Sequence, residues 1–176
     1  MQQRLSPEGL PMPDLMELSE LRARRERWID APPQTVYDLI TDVAASAAWT
    51  PDLVSAQYET EGVPQVGSWF TAVNADVRHD HEWVTRSRVH AAEAGREFAW
   101  YVVVQGVDAT LWHYRLRPRD GGTLVTESWQ VEHLFPVMGT SREELLALKA
   151  HNTAGMEATL NALADAATAR HTRSPR

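Results

Sequence analysis

The sequence contains no cysteine, which excludes disulfide scaffolds, thiolate-held zinc, iron–sulfur clusters and thiol catalysis. Positive charge is scarce as well. Lysine occurs once, at Lys149, and 17 basic residues face 24 acidic ones for a net charge of −7. A chain of that sign has no general field for phosphate backbones, so nucleic acid is not an expected partner. Long apolar runs are missing too: the longest unbroken one is Phe98 to Val104, far short of the roughly 20 residues of a membrane-spanning helix. The opening residues Met1 to Pro7 lack the apolar stretch of an export signal. The expectation is a cytoplasmic protein with no integral membrane association. Phenylalanine and tyrosine are few, three and four, whereas tryptophan occurs seven times. A chain of 176 residues with 43% hydrophobic and 23% charged side chains suits one globular domain.

Along the chain, residues 1–16 carry Pro7, Gly9, Pro11 and Pro13, too many breakers for a regular element, and read as an arm. Leu18 to Asp30 reads as a strand with one wet face. After Ala31-Pro32-Pro33, the spacing of Val36, Leu39, Ile40 and Val43 predicts a short helix, and Ala44 to Ala48 a second one, ended by Trp49-Thr50-Pro51. Six β-rich runs follow: Leu53–Thr60, Ser68–Val77, Glu82–Ala91, Glu97–Val104, Thr110–Arg117 and Thr123–His133. The turns between them are too short for parallel crossovers, which predicts an antiparallel meander. Ser141 and Glu144 form a capping-box signature. Behind it Leu145, Leu148, Asn152, Met156, Leu160, Leu163 and Ala167 mark one face of a helix over 142–168. The expected organisation is an arm at 1–16, one α+β domain at 17–169, and a frayed tail at 170–176.

Several of these segments resemble the START-like (SRPBCC, helix-grip) superfamily and its polyketide cyclase/dehydrase-like branch. The resemblance rests on Ile29-Asp30-Ala31-Pro32-Pro33, Val36-Tyr37-Asp38, Trp49-Thr50-Pro51, Val66-Gly67-Ser68-Trp69-Phe70, Ala94 to Trp100, Gly121 to Trp129 and Gly155 to Leu160. It covers about residues 20–168. It implies a curved seven-stranded antiparallel sheet wrapped around the long C-terminal helix, with two short helices after strand one and the first strand paired with the last. The superfamily includes lipid carriers, ligand sensors and ring cyclases, so the fold alone does not decide among these activities.

Side chains alternate faces along a strand, so parity assigns the inner lining. Phe98 inward carries Trp100, Val102 and Val104 with it; Val89 inward carries Ser87, Thr85 and Trp83 and leaves Arg86, Arg88 and His90 in water. The remaining lining is Phe70, Asn74, Trp112, Tyr114 and Trp129, with Asn152, Met156 and Leu160 from the helix. Trp28 and Trp69 fall on the outer face, and Trp49 near a mouth formed with Pro51 and the Phe135–Gly139 loop. Glu127 is the exception, a carboxylate placed among aromatics. Desolvation raises its pKa unless a cation reaches it, and Arg25 and Arg27 are the candidates. Its role is open between a group that fixes the sheet and an acid/base or ligand anchor. His133 shares its register toward the mouth and is the second candidate for proton transfer. His79-Asp80-His81, His90, His113 and His151 offer no convincing set of metal ligands, so neither a metal nor another cofactor is expected. The leading expectation is a binder of a hydrophobic, ring-bearing small molecule or lipid, acting as a monomer or homodimer. The alternatives are a polyketide cyclase/dehydratase-like enzyme using Glu127 or His133, and a regulatory or chaperone-like protein whose cavity is filled by its own side chains.

Overall fold

The computed structural model describes residues 16–76 and 81–173. All but the last residue of the arm expected at 1–16, most of the His79-Asp80-His81 turn, and residues 174–176 of the expected tail lie outside them. Strands β1 (Arg22–Ile29), β2 (Leu53–Tyr58), β3 (Trp69–Asp76), β4 (His81–Glu93), β5 (Glu97–Val104), β6 (Val107–Arg119) and β7 (Gly122–Val131) form one sheet. Its order is β1-β7-β6-β5-β4-β3-β2, antiparallel throughout. Helix α1 (Pro33–Thr41) and a 3₁₀ turn (Ala45–Ala48) follow β1, and helix α2 (Arg142–Arg173) closes the chain. This is the helix-grip arrangement expected from the sequence.

The differences are local and have physical causes. A 3₁₀ turn at Leu18–Glu20 precedes β1, held by the Glu20 carboxylate accepting from the Glu17 amide at 3.1 Å; the strand therefore begins at Arg22 rather than Leu18. Helix α2 runs through Arg173 instead of fraying at 170, because no breaker follows its alanine-rich last turns before Pro175. At 32 residues it is roughly 48 Å long. Its start is the predicted capping box: Ser141 Oγ accepts from the Glu144 amide, and Glu144 Oε2 accepts from the amides of Thr140 and Ser141. Those bonds hold the Glu144 carboxyl below its ordinary pKa. At the other edge Gly122 lets β7 begin tight against β1, since a Cβ there would sit 2.3 Å from the Ile29 carbonyl oxygen.

Two packed regions flank the space beneath the helix. The C-terminal half of α2 presents Leu160, Leu163, Ala164 and Ala167 to Ile29, Val36, Ile40 and Phe98, and the small alanines permit close approach. Around the start of the helix, Leu145 and Met156 pack with Leu21, Trp129 and Val131. No described helix is long and apolar enough to cross a membrane.

Candidate functional site

Between α2 and the sheet lies a cavity of about 1220 Å³, somewhat above the roughly 300–1,000 Å³ that small-molecule sites usually occupy. Its roof is the first half of α2, where Leu148, Asn152, Gly155, Met156 and Thr159 face inward, and its floor is the concave sheet. Register builds the floor: Trp100, Trp112 and Trp129 stand directly opposite one another on the adjacent strands β5, β6 and β7. The Trp100 and Trp112 rings are near parallel, 11° apart with centroids at 6.4 Å. Tyr114 lies 6.0 Å from Trp100 at 29°, and Phe70 meets the same indole edge-on at 5.8 Å. Such an array offers broad, flat apolar surface at little entropic cost, because aromatic side chains carry few rotamers.

One carboxyl interrupts this surface. Glu127 is 3% exposed, accepts a hydrogen bond from the Tyr114 hydroxyl at Oε1 (2.8 Å), and has no partner at Oε2. Arg25 is its cross-strand neighbour on β1, yet the guanidinium turns to Glu157 on α2 at 2.6 Å. Among the described residues no cation therefore offsets burial. Desolvation pushes the Glu127 pKa up to about 8, against the opposing pull of the Tyr114 hydrogen bond, and the Tyr114 hydroxyl is pushed up by burial and by the neighbouring carboxylate. At neutral pH Glu127 is a neutral acid with a proton to donate, a state suited to a ligand oxygen or to proton transfer.

The mouth carries different chemistry. Trp49, Asp52 and His151 line it together with Phe135 and Val137. His151 Nε2 lies 2.7 Å from Asp52 Oδ2, clipping α2 to the segment before β2, and Asp52 adopts the left-handed backbone (φ 61°). The indole nitrogen of Trp49 is buried without a hydrogen-bond partner. On the floor nearby, the Asn74 amide donates to Thr85 Oγ1 at 3.2 Å.

Of the side chains that parity and the helix face nominated, Phe70, Asn74, Trp83, Trp100, Trp112, Tyr114, Trp129, Asn152 and Met156 border the cavity, together with Glu127. Two do not. Leu160 belongs to the packed core beside α1, immediately after Thr159, the last residue of the cavity roof. His133 lies past the end of β7, exposed, with its ring 5.1 Å from Phe135 and outside the lining, so it is not placed to move protons there. The Asp52–His151 pair and the unsatisfied Trp49 nitrogen escaped the sequence reading, because each depends on how a loop meets a distant helix. Among the described residues, no three His, Asp or Glu side chains gather as metal ligands.

A concave antiparallel sheet gripped around a long C-terminal helix, with an internal apolar cavity, defines a START-like protein. The chain belongs to the family described as polyketide cyclase/dehydrase and lipid transport, which matches residues 20–168. No curated protein matches it in sequence. Among solved structures it is similar to the di-domain aromatase/cyclase StfQ of the steffimycin biosynthetic pathway (14% identity, TM-score 0.70), covering 85% of this chain and 51% of that one, so it spans about half of the di-domain protein. The polyketide-cyclase-like protein Cgl2372 of Corynebacterium glutamicum is 28% identical (TM-score 0.61; 88% and 98% covered). The Aha1 protein of Colwellia psychrerythraea, solved as a dimer, is 17% identical (TM-score 0.58; 83% and 95% covered).

Proposed function

We propose that the protein binds a hydrophobic, ring-bearing small molecule between α2 and the sheet, flat against Trp100 and Trp112, with the neutral Glu127 carboxyl as its inner polar anchor. The observation that carries this reading is the cavity of about 1220 Å³ floored by near-parallel indoles with a single cation-free acid among them. A filled-cavity regulator has no use for that space, and an acyl chain has no use for a planar floor. Membership of a family described as polyketide cyclase/dehydrase and lipid transport supports the coarser part, a hydrophobic ligand.

A cyclase/dehydratase-like reaction is the second reading, and the Glu127 pKa of about 8 favours it, because an acid poised near the working pH transfers protons efficiently. In that reading the aromatic floor holds a flexible chain folded for ring closure while Glu127 gives its proton to the carbonyl oxygen under attack and its carboxylate takes up the proton that the attacking carbon loses. Native mass spectrometry of the purified protein tests the shared part: a bound species of a few hundred daltons is the expected result. A protein that neither retains a ligand nor shows quenched tryptophan emission with 2-hydroxyanthraquinone contradicts both readings. Glu127→Gln then separates them. A carrier keeps its affinity in this variant, whereas an acid/base enzyme keeps binding and loses turnover.

A further inference from the structure

The convex face of the sheet, turned away from the cavity, holds a second and smaller cleft. Its volume is about 90 Å³, and its walls are Arg24, Arg115, Arg117, Thr126 and Ser128. Register brings these residues together. Arg115 and Arg117 stand two apart on β6 and so point to one face, Thr126 on β7 lies opposite Arg115, and Ser128 on β7 lies opposite Arg24 on β1. Strand β7 thus carries two hydroxyls along the floor, with guanidinium groups on both neighbouring strands. A space of this size is far below the roughly 300 Å³ at which sites for drug-sized ligands begin. It suits one compact group.

The charges around the cleft are not balanced as they are elsewhere. Arg86 meets Glu59 at 2.6 Å, Arg88 meets Asp108 at 2.7 Å and Arg96 meets Glu93 at 2.8 Å. At the cleft Arg24 has a carboxylate partner in Glu26, which is shared with the Thr126 hydroxyl. Arg115 has Glu97 as its cross-strand neighbour on β5, yet that carboxylate turns to His113 Nε2 at 2.8 Å. Arg117 acts on Glu26 only through space. Among the described residues neither Arg115 nor Arg117 has a hydrogen bond or an ion pair. A guanidinium group cannot shed its charge, and like charges on neighbouring strands repel, so a bound anion relieves what the carboxylates leave uncompensated.

We propose that this cleft binds inorganic phosphate or a free phosphate monoester, with Arg115 and Arg117 donating to its oxygens from β6, Arg24 from β1 and the Ser128 hydroxyl from the floor. Donors arriving from two sides and from below fit a tetrahedral group with three terminal oxygens better than a planar carboxylate. The two unpaired guanidinium charges match the charge of about −1.5 to −2 that a monoester carries at neutral pH. The net charge of −7 works against an extended polyanion or an anionic membrane, which favours a free ligand as the source. The site lies on the opposite face from the cavity and does not rest on what the cavity binds.

Isothermal titration calorimetry of the full chain with inorganic phosphate, at ionic strength held constant with sodium chloride, tests the proposal. The wild-type chain is expected to bind with a dissociation constant of about 1 mM. Arg115→Gln and Arg117→Gln are each expected to weaken binding about tenfold, the effect of one hydrogen bond to a charged group. Arg117→Lys keeps the charge without the planar fork and is expected to fall between wild type and Arg117→Gln. Arg96→Gln, at an exposed turn beside its own carboxylate, is expected to change nothing. No phosphate binding by the wild-type chain, or a loss in Arg96→Gln equal to that in Arg117→Gln, overturns the site. Sedimentation with phosphatidylcholine vesicles, with and without phosphatidic acid, fixes the source: no added pelleting is expected. Pelleting that needs phosphatidic acid together with Arg115 and Arg117 supports the phosphate chemistry and overturns the free ligand as its source.

Discussion

Glu59 and Glu127 are the same side chain on the two faces of one sheet, and they hold opposite charge states. On the convex face, Glu59 takes two hydrogen bonds from the Arg86 guanidinium, at 2.6 and 2.8 Å, and its pKa is lowered. On the concave face Glu127 has a tyrosine for a partner, no cation, and a pKa pushed up to about 8. The tryptophans divide likewise: Trp69 lies beneath Arg86, whose guanidinium carbon is 4.0 Å from the ring, whereas Trp100 and Trp112 lie near parallel to each other and border the cavity. Residue type does not set function here. Strand parity and the destination of the arginines do: Arg86 reaches Glu59 on the convex face, whereas Arg25, the cross-strand neighbour of Glu127, turns away to Glu157 on α2.

Trp129→Ala on the concave side, at 2% exposure, is expected to cost about 3–5 kcal/mol in chemical denaturation; a cost near that of an ordinary surface change would mean the floor is not packed as described. Comparable in size over its full range is a pH effect. The native chain holds the Glu127 proton up to about pH 8, while the unfolded chain releases it near 4.5. Unfolding in that window gives up a proton, so the contribution of Glu127 is fully favourable below about 4.5 and declines as pH rises to about 8, by up to about 1.4 kcal/mol per unit. Glu127→Gln is expected to flatten that slope in urea titrations at stepped pH. An unchanged slope would show that Glu127 ionises normally. Ser141→Ala, at the start of α2, is expected to cost about 1 kcal/mol and to leave probe binding unchanged. Arg86→Ala on the convex face is expected to give the smallest change in melting temperature, less at high salt than at low, with no effect on fluorescence titration of the cavity.

Much of this contrast was legible in the sequence. Alternation indicated which tryptophans face inward, since placing Val89 and Phe98 inside puts Trp83 and Trp100 on the cavity face and leaves Arg86 and Arg88 in water. The strand order and the capping box at Ser141 and Glu144 were readable as local chemistry combined with a family resemblance. What escaped was tertiary. Arg25 shares its face and register with Glu127, so sequence reasoning offered it as a counter-ion; only the approach of Glu157 on α2 draws it away. His133 follows the parity of β7, but the strand ends at Val131 and the chain turns out to solvent. Leu160 follows the helix stripe, and the helix passes from cavity roof to packed core just before it. Pairing between Asp52 and His151, 99 residues apart, has no local signature.

The most direct measurement is a crystal structure of the protein with 2-hydroxyanthraquinone. The expected result is the ring system stacked on Trp100 and Trp112 with its hydroxyl at the Glu127 carboxyl. A probe bound outside the cavity, or a cavity closed by collapse of the indoles onto Asn152 and Met156, would contradict the account.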